Sequence, residues 1–152
     1  MDLDVSCVLF DEYGTITEII YPGRPRNGND SVIHTGDSTT GTGEWDDERI
    51  FVCPDAVPGA VSAMTFVVAS VTGRSFDQIP RASCHVSDRM TEREWMRLEL
   101  NDLGPRSVHC VATLYRSPSG WRIHPGAQNQ SAQTRIMAEL LPLIAGAKSA
   151  RI

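Results

Sequence analysis

Alternation with a period of two residues runs through most of this chain. Leu3, Val5, Cys7 and Leu9 fall on one face of a first strand, and Asp4 and Ser6 fall on the other. Tyr13-Gly14 supplies a turn, and residues 16–20 read as a second strand closing a hairpin. Short strands are predicted again over 31–34, 49–53, 61–71, 82–87, 94–100 and 107–116, with turn residues between them. Residues 120–124 form a last strand, paired through the turn Ser117-Pro118-Ser119-Gly120. Only one stretch has helical spacing: Ile136, Met137, Leu140, Leu141 and Ile144 make one apolar stripe over residues 132–144. Ser131 is its expected N-cap, and Pro142 is expected to kink or shorten the last turn. Neither repeats nor a linker interrupt the series, so residues 1–152 are expected to form a single domain. The pattern points to an all-β fold, an antiparallel two-sheet β-sandwich with one C-terminal helix.

The exception to the alternation is residues 21–48, with five glycines and two prolines. Loops this long in compact domains usually carry function or are disordered. Charge makes the segment informative. The chain has 14 Lys and Arg against 19 Asp and Glu, a net of −5. Six of the carboxylates (Asp30, Asp37, Glu44, Asp46, Asp47, Glu48) lie between Asn27 and Glu48, where no Lys or Arg occurs. Removing them leaves 13 acidic and 14 basic residues, so this stretch carries the whole acidic excess. The balance argues against a nucleic-acid partner, which calls for a basic surplus. The start of the chain lacks a basic, then apolar, leader, and the longest apolar run (60–71) is too short for a membrane span. A cytoplasmic location follows as the expectation. The four scattered cysteines then read as reduced thiols inside strands.

Three chemistries compete for the segment from Gly36 to Glu48. A phosphate-cradling loop needs a lysine after its second glycine, but Thr42 follows Gly41 and the single lysine is Lys148. A serine hydrolase built on Gly36-Asp37-Ser38 needs a positioned histidine base, and none of the four histidines has an Asp three residues before it. A hard cation fits best. Calcium takes six to eight oxygens on a backbone that bends freely, and Asp37, Asp46, Asp47 and Glu48 sit among Gly36, Gly41 and Gly43. Asp2 and Asp4, two apart on one strand face, can join such a site. The simpler alternative is a solvated acidic loop over an edge strand. A zinc reading of Cys84-His85 or His109-Cys110 fails, because adjacent strand residues point to opposite faces. Trp45, Trp95 and Trp121 read as packing residues.

Taken together, these residues resemble the TerD family of tellurium-resistance and stress-response proteins. The likeness runs from Asp2-Leu3-Asp4-Val5-Ser6 through Ser31-Val32-Ile33-His34-Thr35-Gly36-Asp37, Thr40-Gly41-Thr42-Gly43 and Asp46-Asp47-Glu48. Val57-Pro58, Arg74-Ser75-Phe76, Leu114-Tyr115-Arg116 and Trp121 extend it. The resemblance implies a non-enzymatic, calcium-binding β-sandwich that holds one or two ions in a long acidic loop. It implies Asp2, Asp4, Asn29, Asp37, Asp46, Asp47 and Glu48 as metal ligands. Ser38, Trp45 and Pro22-Gly23 depart from the family pattern. Asn29 stands where Asp is usual, with Asp30 beside it to compensate. The resemblance also implies protein partners in a stress-response complex. Because family members usually carry strands before this point, the resemblance implies either a truncated sequence or an open sheet edge, and an open edge invites pairing with a second copy. Two other readings use the same carboxylates: a metal-free interaction module and a metal-dependent hydrolase.

Overall fold

The computed structural model describes residues 3–34, 50–70, 74–79, 83–87 and 94–150. Nine strands and one α-helix are found in this part: β1 Leu3–Phe10, β2 Ile16–Ile20, β3 Val32–His34, β4 Ile50–Val52, β5 Ala63–Ser70, β6 Ser83–Ser87, β7 Glu94–Glu99, β8 Val108–Ser117, β9 Gly120–Pro125 and α1 Gln130–Ala150. Five of the strands form one antiparallel sheet in the order β2-β1-β5-β8-β9, while β3–β4 and β6–β7 are separate two-stranded ribbons.

Alternation decides what each face of the large sheet meets. On one face Val8, Phe10, Ala63, Val67, Ala69 and Cys110 pack against Ala132, Ile136, Leu140 and Ile144 of α1. On the other, Cys7, Leu9, Met64 and Leu114 meet Val32 of β3, with Ile50 and Val52 of β4 against them. Further along that face, Val68 and Ala112 meet Phe76, Ile79 and Leu100, with Leu98 of β7 beside them. Each large side chain so buried contributes about 1.5–3 kcal/mol. Two hydroxyls fix where the helix begins. Thr113 Oγ1 donates to the Gly126 carbonyl at 2.8 Å, so Thr65, 2.8 Å away, donates to Thr113.

Three expectations are corrected. The helix cap is Asn129, whose Oδ1 accepts the Ala132 N–H at 2.8 Å; Ser131 lies inside the helix. Pro142 does not end the helix, which continues to Ala150. Cys53, just past β4, is exposed, whereas Cys7 and Cys110 are buried strand thiols as expected. The first strand is also no edge: β1 pairs with β2 through Cys7↔Ile20 and with β5 from Leu3↔Ser70 to Phe10↔Ala63. Among the described residues, the edges of the large sheet are β2 and β9.

Candidate cation site

The acidic segment is rooted in the β3–β4 ribbon. His34 and Ile50 are ladder partners, so residues 35–49 leave and re-enter the fold at one rung. That rung is held inside the molecule: His34 is 3% exposed and its N–H donates to the Pro25 carbonyl at 2.6 Å. Within 35–49 stand five carboxylates (Asp37, Glu44, Asp46, Asp47, Glu48) and one cation, Arg49. These residues, and Asp2, lie outside the described part of the chain, as do Trp45 and the glycines around it.

The turn leading into the ribbon is built on a buried asparagine. Asn27 Oδ1 accepts the Val32 N–H at 2.9 Å, and its Nδ2 donates to Ser31 Oγ at 2.8 Å and to Asn29 Oδ1 at 3.2 Å. Asn29 Oδ1 also accepts the Ser31 N–H at 3.2 Å, and its Nδ2 donates to the Ala56 carbonyl at 2.7 Å. An amide oxygen with two donors has spent its lone pairs on the turn. Asn29 therefore positions the ribbon, and the ligand set proposed below omits it. Asp30 sits at φ 59 and pairs with Arg26 at 3.2 Å. Its carboxylate is exposed and turned to a local cation. The sequence reading missed the anchoring role of Asn27 and Ser31. Their i, i+4 spacing ahead of an apolar run was the available signal, and it was weak.

Asp4 is the expected ligand whose carboxylate the structure places in the interior, at 3% exposure. Its partner on β5 is Ala69, on the face that meets α1. Asn29, bonded to Ala56 beside Val57, belongs to the opposite, ribbon-covered side. The two are not brought together. Ser6 shares the Asp4 face, and its Oγ is buried with no hydrogen-bond partner among the described residues. Buried carboxylates are ordinarily answered by hydrogen bonds or by a cation. Among the described residues, no three His, Cys, Asp or Glu side chains converge as a metal cluster. A calcium ion there would draw one described carboxylate, Asp4, and take the rest of its oxygens from outside the described residues.

The TerD domain profile matches residues 1–140. The chain belongs to the TerD family. It is 34% identical over 121 residues to tellurium resistance protein TerZ of Serratia marcescens, covering 80% of this chain and 62% of that protein. It is 31% identical over 147 residues to general stress protein 16U of Bacillus subtilis, covering 91% of this chain and 76% of the relative. This TerD-family chain thus spans less than two thirds of the length of the TerZ relative. Its fold is also that of a solved Streptomyces coelicolor homologue of the telluride resistance protein TerD. The TM-score is 0.72 at 17% identity, over 82% of this chain and 76% of the other.

Proposed function

We propose that this chain is a non-catalytic, calcium-binding protein of the tellurium-resistance and stress-response type, acting in the cytoplasm. The observation that carries the reading is the acidic segment itself, five carboxylates and one arginine closed on the His34↔Ile50 rung. Asp37, Asp46, Asp47 and Glu48 are the proposed ligands there, with Asp2 and the interior carboxylate of Asp4 supplying the second group. One or two ions would offset carboxylates whose mutual repulsion otherwise opposes folding. The same reading makes the two ribbons parts of the second layer of a β-sandwich. The names of TerZ and of general stress protein 16U support the physiological setting.

Thermal melts with calcium and then with chelator test it. A ligand that binds only the folded state adds about 2.7 kcal/mol at 100 times its dissociation constant. For a domain of this size that is about 5–10 °C in melting temperature. The shift should vanish in the double variant Asp46→Ala/Asp47→Ala. A wild-type protein that melts alike with calcium and with chelator refutes calcium binding. Turnover of phosphoesters in the presence of calcium or manganese refutes the non-catalytic part.

A further inference from the structure

A cavity of about 290 Å³ opens between the first turns of α1 and the beginning of β8. Its origin is a strand that stops short. Pairing of β9 with β8 ends at Ala112↔Pro125, and the Gly126 N–H then closes on the Val111 carbonyl at 3.1 Å. From there the chain leaves for the helix. The flank of β8 from Val108 to Cys110, on the side away from β5, therefore has no strand beside it among the described residues. Val108, Cys110 and Met137 give the cavity an apolar, sulfur-containing lining, and Arg106 and Gln133 give it polar groups; His109 borders it from a strand position paired with Val68 of the other face.

Among the described residues, no carboxylate lines the cavity. The Arg106 side chain belongs to an exposed residue and forms no ion pair among the described residues. Its charge reaches the neighbouring imidazole, since burial first and Arg106 second push the His109 pKa below its ordinary value. His109 is therefore neutral at physiological pH and adds no second cation. A hollow lined by an arginine, with no carboxylate among its described lining residues, attracts an anion. Its volume lies at the lower end of small-molecule pockets, about 300–1,000 Å³, so the occupant has few heavy atoms. The apolar lining favours a hydrocarbon group next to the charge over a fully hydrated inorganic ion.

We propose that this cavity binds a small carboxylate with a short aliphatic tail. The carboxylate meets Arg106, and the tail lies against Val108, Cys110 and Met137. Cys110 takes no covalent part. Burial raises its thiol to about 11, so it stays protonated and serves as surface. The proposal is independent of calcium and uses none of the acidic segment.

The test is an NMR titration of the full chain with butyrate, following backbone amides and the His109 imidazole. Saturable shifts at the lining residues are expected, together with a rise in the His109 pKa as the bound negative charge offsets Arg106. Butyramide, which keeps the shape and lacks the charge, should bind at least about tenfold more weakly, as should Arg106→Gln with butyrate. Arg106 is exposed, so the variant should fold normally, which its unchanged melting temperature would show. Absence of saturable shifts overturns the proposal, as does butyrate binding by Arg106→Gln equal to wild type. Butyramide binding as well as butyrate removes the role of charge. Inorganic phosphate binding as well as butyrate removes the role of the tail.

Discussion

Removing the guanidinium of Arg116 should loosen the connection between β4 and β5. Nε donates to the Val61 carbonyl at 2.7 Å, and Nη2 donates to the Val57 and Pro58 carbonyls at 3.0 Å each. The guanidinium also lies over the Trp121 ring at 4.4 Å, and the Trp121 indole donates to the Pro54 carbonyl at 3.2 Å. One side chain on β8 thus gathers residues 57–61, and the indole it stacks on holds Pro54. Buried bonds from a charged donor contribute about 1.5–3 kcal/mol each. These are only partly buried and the freed carbonyls rehydrate, so about 0.5–1 each is the better figure. Stacking of an exposed guanidinium on the half-buried indole adds about 0.5–1 kcal/mol. Arg116→Ala should then cost about 2–4 kcal/mol, which is about 4–16 °C in melting temperature at this chain length. Urea unfolding followed by circular dichroism measures it, with Arg122→Ala on exposed β9 as a neutral control. Arg116→Lys should fall between, because an ammonium cannot reproduce the planar fork. Hydrogen exchange should show the Val57 and Val61 amides, bonded to Pro54 and Pro58, losing protection first. An Arg116→Ala protein within about 0.5 kcal/mol of wild type would refute the clamp.

Four further outcomes follow from particular residues. Asn27→Ala strips three hydrogen bonds from a buried turn and should cost about 2–4 kcal/mol by urea unfolding, while Asn27→Asp, keeping the acceptor for Val32, should cost less. In a Cys84→Ser background, a thiol reagent should label Cys53 in the folded protein and reach Cys7 only on unfolding. Because the Cys110 thiol titrates near 11 when folded and near 9.0 when not, its contribution to stability is full below pH 9 and is lost as pH rises through 11. Cys110→Ala should flatten that alkaline slope, and an unchanged slope would exclude Cys110 as its source. Pro142→Ala restores an N–H for the Ala138 carbonyl at an exposed helix position, and should raise stability by about 1–3 kcal/mol. A melting temperature unchanged or lowered would count against it.

The elements were largely legible because period-two alternation fixes which face a residue takes. It does not say which strand lies alongside. Nothing in 3–10 or 63–70 announces that β1 pairs with β5 and β5 with β8 across long stretches of sequence. The helix stripe was legible at Ile136, Leu140 and Ile144, whereas Leu141, which shares the spacing, is exposed. The helix start was misplaced because Ser131 and Asn129 are both good caps and only geometry separates them. Pro142 was given too much weight, since a proline's lost bond can be tolerated where neighbouring turns are packed on a sheet. In the candidate site, the face of Asp4 was legible and its burial was not, because burial depends on the helix that covers that face. The engagement of Asn29 with Asn27, Ser31 and Ala56 is a tertiary fact that no spacing announces.

The single rung between His34 and Ile50 has a consequence for how such proteins diverge. Ends fixed about 5 Å apart stay fixed whatever number of residues separates them. Doubling the length of such an excursion adds only about 0.6 kcal/mol of closure entropy. Insertions, deletions and exchanges of carboxylate for amide between the two rung partners therefore leave the register of every strand untouched. Selection can retune that stretch, in charge and in length, without renegotiating the packing of the sheet beneath it.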